Sequence, residues 1–367
     1  MGYPNMKNKV VGKNVSIGSI VGGGIGSEVM DISLECLYQA CSICNLRVNE
    51  LSYKGLTVDT AEARNSLREF YAETRDIGGV ILRTSLYAPI VYWLRREFEL
   101  IYKMIYIKSS KELVADSPLK EDRVRFTDIL LIRDNAAGAY HGETDEILKD
   151  SNRVASIKYS YVESQVRSVA RSAFSFSAKR SQRLHLLIKC DVLGHLGQLW
   201  VDMFREMSAE YPDVTFDIFS PDVGSAELIT NPSRFDVVVG LDTELDMLSD
   251  QMASIVHGSR GITPSINMSM NGFASYQTIH GTGDGLKGKD LANPVGMVLA
   301  GAQLLGESFG NSQAHDLIVN ATFNIFNRGY RTGDMFKPGR NHQKVGTKEM
   351  GRLILSEITS NKIEQCA

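Results

Sequence analysis

The stretch TFDIFSPDVGSAELITNPSRFDVVVGLDTELDMLSD, residues 215–250, decides the fold class of this chain. Two short apolar runs, TFDIFS and RFDVVVGL, have the composition of buried strands, and a helical pattern follows each of them. The same alternation extends outward, from NVSIGSIV at residues 14–21 to the apolar helix VGMVLAGAQLLGESFG at residues 295–310. Strands alternating with helices predict an α/β protein with a largely buried sheet.

Length and composition indicate a soluble protein of two domains, or of one large α/β domain with an insertion. The chain has 367 residues, of which 43% are hydrophobic and 23% charged. A formal net charge of −3 gives no electrostatic reason to expect nucleic acid or a membrane surface as partner. No apolar run is long enough to cross a bilayer, and the N-terminal MGYPNMKNKVVGKNVS lacks the apolar stretch of a secretory signal. The five cysteines fit a reducing compartment, so we expect a cytoplasmic protein.

Two motifs have ordinary structural interpretations. Cys41 and Cys44 form a CxxC pair inside ISLECLYQACSIC, an apolar helical pattern, so we expect buried free thiols there. VGGGIGSEV, residues 21–29, follows a strand and opens a helix, but its glycines are spaced GxGxG instead of GxGxxG. A tight turn between strand and helix explains these glycines better than a dinucleotide phosphate loop does.

Acidic residues follow both strands of the opening stretch. Asp242, Asp246 and Asp250 are four residues apart and would share one face of a helix, which Thr243 is expected to cap. Asp222 follows TFDIFS and could reach the same crevice, since ligands of open α/β sheets bind beyond the strand ends. Converging carboxylates would suit Mg²⁺ or Mn²⁺. The alternative is a solvated acidic helix face.

Basic and glycine-rich segments add further candidates. Arg95 and Arg133 could bind carboxylates if LRREFEL and LLIRDNAAGAY face one cleft, and Lys189 follows the strand pattern RLHLLIKC. The segment HGTGDGLKGKDLANP, residues 280–294, could bring backbone N–H groups to an anionic ligand. The alternatives are surface charges for the basic residues and a mobile surface loop for the glycine-rich segment.

Together, these segments resemble the β-decarboxylating dehydrogenases of isocitrate and 3-isopropylmalate, and look closest to the NAD-dependent isocitrate branch. The resemblance runs from about residue 15 to the C-terminus and is densest at residues 209–253 and 280–305. Further matches occur in sequence order, namely VGGGIGSEV, LRREFEL, DILLIRDNAAGAYHG, LIKCDVL, RTGD and VGTKEMGRLI. One such match would be weak, but this many collinear matches are specific.

The resemblance implies an isopropylmalate-dehydrogenase-like α/β fold, a two-domain open sheet without a standard Rossmann motif. Residues 1–100 and 257–367 would form the large, cofactor-binding domain. Residues 101–256 would form the small domain, with the dimer interface and the catalytic residues. The chain would be a homodimer whose active sites are shared between subunits.

The resemblance also implies a role for each candidate residue. The catalytic residues would be Tyr140, Lys189 and Asp222. The metal ligands for Mg²⁺ or Mn²⁺ would be Asp222, Asp246 and Asp250. The substrate, a 2-hydroxy acid, would meet Arg95, Arg133, Val91, Tyr92 and the residue at position 105. NAD or NADP would meet His280, Gly281, Thr282, Gly285, Asn293 and Asp334. The implied reaction is metal-dependent oxidation at C2, loss of CO₂ and protonation at C3 by Tyr140.

Departures from the family pattern concern substrate and cofactor. Ile105 stands where the family has a third arginine, so the malate-type carboxylate would be held differently, by Lys103 or Lys108, or would be absent. We expect an arginine restored at residue 105 to improve turnover. The stretch YAPIVYW, with Val91 and Tyr92, favours an apolar or altered substrate arm.

Other departures lie near the nicotinamide and the adenosine. Asp242 replaces the usual Asn, Leu245 the usual Gly, and Gly285 the Asp of NAD-preferring relatives, with Asp284 shifted by one place. The choice between NAD and NADP therefore stays open. These losses also raise an alternative function, a catalytically impaired homologue that acts as a regulatory or partner-binding subunit.

Overall fold

The computed structural model describes residues 14–54, 59–149 and 151–365. The prediction about the N-terminal segment MGYPNMKNKVVGK lies outside these residues. Within them, no helix is long and apolar enough to cross a membrane.

The strands form one ten-stranded open sheet and two small two-stranded sheets. Their bounds are β1 Asn14–Ile20, β2 Arg47–Tyr53, β3 Val80–Arg83, β4 Tyr102–Lys108, β5 Asp128–Asp134, β6 Glu143–Lys149, β7 Asn152–Lys158, β8 Arg183–Leu187, β9 Thr215–Phe219, β10 Val237–Gly240, β11 Pro264–Met268, β12 Ala274–Thr278, β13 Tyr330–Arg331 and β14 Gln343–Lys344. The large sheet has the order β2-β1-β3-β12-β11-β4-β5-β10-β8-β9. The hairpin β6–β7 and the pair β13–β14 form the small sheets.

Helices cover the sheet, and their bounds confirm the predicted alternation. They are α1 Gly26–Ile43, α2 Ala61–Asp76, α3 Ala88–Glu97, α4 Glu121–Val124, α5 Glu163–Ala178, α6 Cys190–Leu193, α7 His195–Ser208, α8 Pro221–Thr230, α9 Asp242–Met252, α10 Val295–Gln303, α11 Ser312–Asn327 and α12 Thr347–Gln365. The opening stretch folds as β9, α8, β10 and α9. Its strand–helix alternation gives the α/β class that the sequence predicted.

The strand directions depart from a standard doubly wound sheet. At one end β2, β1, β3 and β12 are mutually parallel, and at the other β5, β10, β8 and β9 are mutually parallel. Between them, β11 and β4 pair antiparallel with all their neighbours, so the two parallel groups run in opposite directions. The sheet is continuous from residues of the predicted large domain to those of the small one. The division at residues 100/101 and 256/257 stays a prediction.

Local sequence explains the helix starts around the site, with one correction. Pro221 opens α8, and the Ser220 hydroxyl accepts a hydrogen bond of 3.4 Å from the Val223 backbone N–H. The prediction that Thr243 caps α9 is wrong, because the N-cap is Leu241, two residues earlier, and Thr243 donates to Glu244 instead. The helix start nevertheless lies directly after β10, as the sequence predicted.

The first glycine turn is structural, as predicted. Gly24 has φ +57°, a conformation that L side chains rarely adopt. A Cβ on Gly22 would lie 1.9 Å from the carbonyl oxygen of Ser85, so the two backbones touch. The nearby thiols also fit the prediction: Cys36 and Cys41 are buried, Cys44 is partly buried, and all three are free.

One apolar cluster lies directly beneath the site, and we call it the β4–α9 cluster. Its buried members are Ile105, Ile107, Ile129, Leu131, Leu187, Leu228, Phe235, Val238, Leu245, Leu248, Met252, Ala253 and Val256. The cluster packs helices α8 and α9 against one face of β4, β5 and β10. It therefore determines the position of α9 relative to the ends of these strands.

Candidate active site

The catalytic candidates of the middle region lie along one edge of the sheet. Strands β5, β10, β8 and β9 are adjacent and parallel, so their carboxyl ends meet at that edge. Arg133 is the second-last residue of β5, and the aspartates of α9 follow β10. Lys189 follows β8, and Asp222 opens α8 after β9. The sequence placed these residues at strand ends, and the topology puts those ends side by side.

A cavity of about 180 Å³ lies at the cleft formed by this edge, α3 and the start of the glycine-rich loop. Four cationic side chains and one carboxylate line it: Arg83, Arg95, Lys103, Arg133 and Asp246. Val91 and Tyr92 line its apolar side, and His280 and Gly281 close it. Seven predicted site residues therefore meet in one cavity, namely Arg95, Arg133, Val91, Tyr92, Asp246, His280 and Gly281.

The two predicted carboxylate-binding arginines are buried and only partly used. Arg95 is 4% exposed and Arg133 is 1% exposed. Arg133 donates through Nη1 to Asp246, while its Nε and Nη2, and Nε and Nη1 of Arg95, find no acceptor among the described residues. Burial, followed by the nearby charge of Arg133, lowers the pKa of Arg95 to about 9. Buried guanidinium groups with unpaired N–H donors can bind an anionic ligand.

Tyr140 lies beside this arginine pair. The Arg133 guanidinium carbon is 5.6 Å from the centre of the Tyr140 ring, and the Tyr92 and Tyr140 rings are 5.8 Å apart. Tyr140 is partly exposed, and burial, followed by the negative charge of Asp246, raises the pKa of its hydroxyl. At neutral pH the hydroxyl therefore keeps its proton, as a general acid must.

Lys189 and Asp222 form a separate pair outside the cavity. Lys189 Nζ donates a hydrogen bond of 2.5 Å to Asp222. Their side chains are 46% and 69% exposed, respectively. They meet because β8 and β9 are parallel neighbours, with Leu187 opposite Phe219 just before each strand ends. Neither residue lines the cavity.

The three aspartates predicted as metal ligands do not converge within one chain, and their shared metal site stays a prediction. Asp246 pairs with Arg133, Asp250 with Arg260 at 2.5 Å, and Asp222 with Lys189. Within the described residues, no group of three or more His, Cys, Asp or Glu side chains could hold a metal ion. Each of the three carboxylates instead forms an ion pair with an arginine or a lysine of the same chain. Asp246 and Asp250 are one turn apart on α9, so this chain fits two oxygen ligands of Mg²⁺ or Mn²⁺ and needs a third from elsewhere.

Ile105 does not line the cavity, which corrects its assignment as a substrate contact. It is fully buried in the β4–α9 cluster, where Leu245 is also fully buried. The two departures from the family pattern thus share one apolar cluster. Lys103 lines the cavity, whereas Lys108 lies at the far end of β4 and pairs with Asp128 at 2.8 Å.

The glycine-rich loop is tied to the rest of the fold, which argues against a mobile surface loop. The Thr282 carbonyl accepts from Ile25 N–H at 3.0 Å, and Gly288 N–H donates to Glu28 at 2.6 Å. These contacts lay the loop over the first glycine turn. Gly285 has open space around its Cα, and Asp284 accepts from the Thr282 hydroxyl at 2.6 Å.

Asn293 and Asp334 meet at the end of this loop. Asn293 Nδ2 donates to Asp334 at 3.1 Å, and Asn293 Oδ1 accepts from Val295 N–H at 3.1 Å at the start of α10. Asp334 also accepts from the hydroxyls of Ser259 and Thr332. Two predicted cofactor residues that lie far apart in sequence therefore form one polar cluster.

Sequence reasoning missed Arg83 and Asp134, and it did not predict that Asp242 is buried close to Asp134. Arg83, the last residue of β3, lines the cavity, and its position at a strand end was the available signal. Asp134 and Asp242 form a buried acid pair behind the turn that carries Tyr140. Burial raises the pKa of Asp134 to about 7 and that of Asp242 to about 6. Nothing in the local pattern around Asp134 indicates this.

Comparisons with known proteins agree with the resemblance found in the sequence. The family model described as isocitrate/isopropylmalate dehydrogenase matches residues 16–354. The 3-isopropylmalate dehydrogenase of Aquifex aeolicus is 35% identical over 266 residues, which are 72% of this chain and 72% of that protein. The chloroplastic 3-isopropylmalate dehydrogenase 1 of Arabidopsis thaliana is 30% identical over 366 residues, covering 95% of this chain and 88% of that protein.

A solved structure supports the fold. The crystal structure of isocitrate dehydrogenase from Methylococcus capsulatus aligns with a TM-score of 0.81 at 23% identity. The alignment covers 94% of this chain and 99% of that chain. At this level of identity the likeness concerns the fold alone, and it confirms the predicted fold class.

Proposed function

The chain belongs to the isocitrate/isopropylmalate dehydrogenase family and is a dehydrogenase of that class, and we propose that it oxidatively decarboxylates a substituted malate-type 2-hydroxy acid. The reaction would depend on a divalent metal ion and transfer hydride to NAD or NADP. The observation that carries this proposal is the cavity in which the unused guanidinium groups of Arg95 and Arg133 lie beside Tyr140.

In the proposed complex, Arg95 and Arg133 bind a carboxylate of the acid. Each guanidinium group has two buried nitrogen atoms that find no acceptor among the described residues. A planar guanidinium group can donate two parallel hydrogen bonds to a carboxylate. Val91 and Tyr92 face the substrate's arm from α3. Helix α3 carries Arg95, Val91 and Tyr92, and strand β5 carries Arg133. Because a helix and a strand are rigid elements, the acid is oriented before the reaction begins.

Asp246 and Asp250 would hold Mg²⁺ or Mn²⁺, together with Asp222 of a second copy of the chain. When bound, the ion lowers the pKa of the substrate hydroxyl and stabilises the negative charge that develops on it. The fit rests on two carboxylates one turn apart on α9 and on the exposed carboxylate of Asp222. Within the chain, Asp246 pairs with Arg133 and Asp250 with Arg260.

Two groups of the chain would move protons. Lys189, held by Asp222, would take the proton of the C2 hydroxyl, and a bound NAD or NADP would accept the hydride from C2. The resulting β-keto acid loses CO₂, and Tyr140 gives a proton to C3. Lys189 and Asp222 lie outside the cavity of their own chain, so the proposal requires them to serve the cavity of a partner.

A homodimer with shared active sites follows from that requirement. The β6–β7 hairpin supports it, because every residue of both strands is exposed. Four of these residues are large and apolar: Ile147, Leu148, Val154 and Ile157. Exposed apolar side chains on a projecting hairpin are typical of an interface.

The cofactor would lie along residues 280–294, with Asn293 and Asp334 at one end and His280, Gly281 and Thr282 at the other. Gly285 has no carboxylate that could bind a ribose hydroxyl, and the Asp284 carboxylate accepts a hydrogen bond from the Thr282 hydroxyl. We propose NAD over NADP only from the overall likeness of the sequence. A cytoplasmic location likewise stays a prediction.

The test is a panel of 3-isopropylmalate, isocitrate, malate and tartrate, each with NAD and NADP in the presence of Mn²⁺. We expect reduced nicotinamide and CO₂ to appear in equal amounts with at least one acid, and Tyr140→Phe to abolish CO₂-coupled turnover. Mn²⁺ should also raise the melting temperature. If neither cofactor is reduced and Mn²⁺ gives no shift, the catalytic proposal fails and the impaired-homologue alternative takes its place.

A further inference from the structure

The cavity carries an excess of buried positive charge. Its lining contains Arg83, Arg95, Lys103 and Arg133 against the single carboxylate of Asp246. All four cations are nearly inaccessible, with exposed fractions of 2%, 4%, 3% and 1% in that order. Asp246 forms its ion pair with Arg133, so the other three cations are without a carboxylate partner in the lining. Buried cations without counter-charges are costly, which indicates a ligand with more than one negative charge.

Lys103 is the member of this group that packing does not explain. It lies directly opposite Arg133 on the antiparallel pair β4–β5, and like charges at facing positions destabilise a sheet. Burial lowers the pKa of Lys103 well below its usual value, and the charges of Arg133 and Arg95 lower it further. A lysine kept purely for stability would not sit between two arginines.

Arg83 faces the same space from the other side. Its Nε donates to the Ser275 hydroxyl at 3.2 Å and its Nη1 to the Thr84 carbonyl at 3.4 Å. These two bonds fix the guanidinium in place without neutralising it. Arg83 and Lys103 therefore both line the cavity in addition to Arg95 and Arg133.

We infer that Lys103 is a substrate-binding residue, whose ammonium group, with Arg83, takes a second carboxylate of the 2-hydroxy acid. It supplies the cation that the chain lacks at residue 105, from two residues earlier on the same face of β4. This assignment gives the second carboxylate of the malate-type acid a binding partner, and predicts that monocarboxylic 2-hydroxy acids do not bind.

This inference rests on the proposed function for the identity of the acid, but its test needs no turnover. Malate serves as the dicarboxylate probe and lactate as the monocarboxylate probe, with thermal stabilisation and calorimetric Kd as readouts. The variants are Lys103→Met and Lys103→Arg. Lys108→Met is the matched control, because Lys108 lies on the same strand in an exposed ion pair outside the cavity.

We expect malate, and not lactate, to stabilise the wild-type protein. Lys103→Met should weaken malate binding at least about tenfold, the loss typical of a charged hydrogen bond. Lys103→Arg should retain most of the binding, and Lys108→Met should bind as the wild type does. Without ligand, Lys103→Met should melt higher than the wild type, because a buried cation is removed; a purely structural lysine would give the opposite result.

The outcomes separate this inference from the proposed function. Unchanged malate affinity in Lys103→Met, or equal stabilisation by malate and lactate, overturns the inference, even if the enzyme oxidises an acid. Absence of malate binding to the wild-type protein overturns it as well. Binding of malate through Lys103 without reduction of NAD or NADP by any acid leaves the inference standing and rejects the catalytic proposal.

Discussion

Lys189 and Asp222 form a hydrogen-bonded ion pair after the ends of two neighbouring strands, outside the cavity that Arg133 and Asp246 line. The two parts of the proposed active site therefore do not meet within the cavity of a single chain. The arrangement is productive only if each cavity receives the Lys189–Asp222 pair of a second copy.

This division predicts complementation between inactive variants. Lys189→Met and Asp246→Asn homodimers should both be inactive. Refolding an equal mixture gives heterodimers in which one site is intact and the other carries both substitutions, so about a quarter of wild-type activity should return. The matched control mixes Lys189→Met with Asp222→Asn, where each site of the heterodimer keeps one defect. If the first mixture is as inactive as the control, the shared-site dimer is ruled out.

Ile105→Arg tests what the departure from the family pattern means, and the structure reverses the expectation drawn from sequence. Ile105 is fully buried among apolar side chains of the β4–α9 cluster, so an arginine there would bury an unpaired charge. We expect a loss of about 3–5 kcal/mol in the free energy of unfolding in urea. The control, Ile105→Val, should lose only about 1 kcal/mol. An Ile105→Arg protein of normal stability with improved KM for malate would show that this side chain reaches the cavity.

The sequence predicted which elements form the site, because alternation of strands and helices determines which residues stand at strand ends. It could not predict that Asp222 lies outside the cavity of its own chain, since strand order alone does not determine which side chains line a cavity. It also could not separate Lys103 from Ile105. Period-two alternation puts both on one face of β4, but only packing against α9 decides that residue 103 reaches the cavity and residue 105 the core.

Asp242→Asn should change how stability depends on pH. Burial raises the pKa of Asp242 to about 6 and, with the charge of Asp242 as a further cause, that of Asp134 to about 7. Both groups fall below 4 when the chain unfolds, so the stability tied to their protonated forms is complete at low pH and is lost as pH rises through 6 to 7.

Urea unfolding at several pH values measures this effect. At pH 8 the Asp242→Asn protein should be more stable than the wild type by about 2 kcal/mol, and the difference should disappear near pH 4. Asp213→Asn, at an exposed position, is the control and should change stability little at any pH. A pH-independent difference for Asp242→Asn would mean that the ionisation of this carboxyl carries no stability.

Gly138→Ala tests how the turn positions Tyr140. Gly138 has φ +88°, and a Cβ there would lie 2.6 Å from the Tyr161 hydroxyl and 3.2 Å from the Asp242 carboxyl. Backbone strain and overlap together should cost about 2–3 kcal/mol and lower kcat by displacing Tyr140. Gly78→Ala separates the two causes, because Gly78 has φ +68° but open space, so it should cost only about 1 kcal/mol and leave kcat unchanged. Equal costs for the two variants would show that the contact with Tyr161 and Asp242 does not constrain the turn.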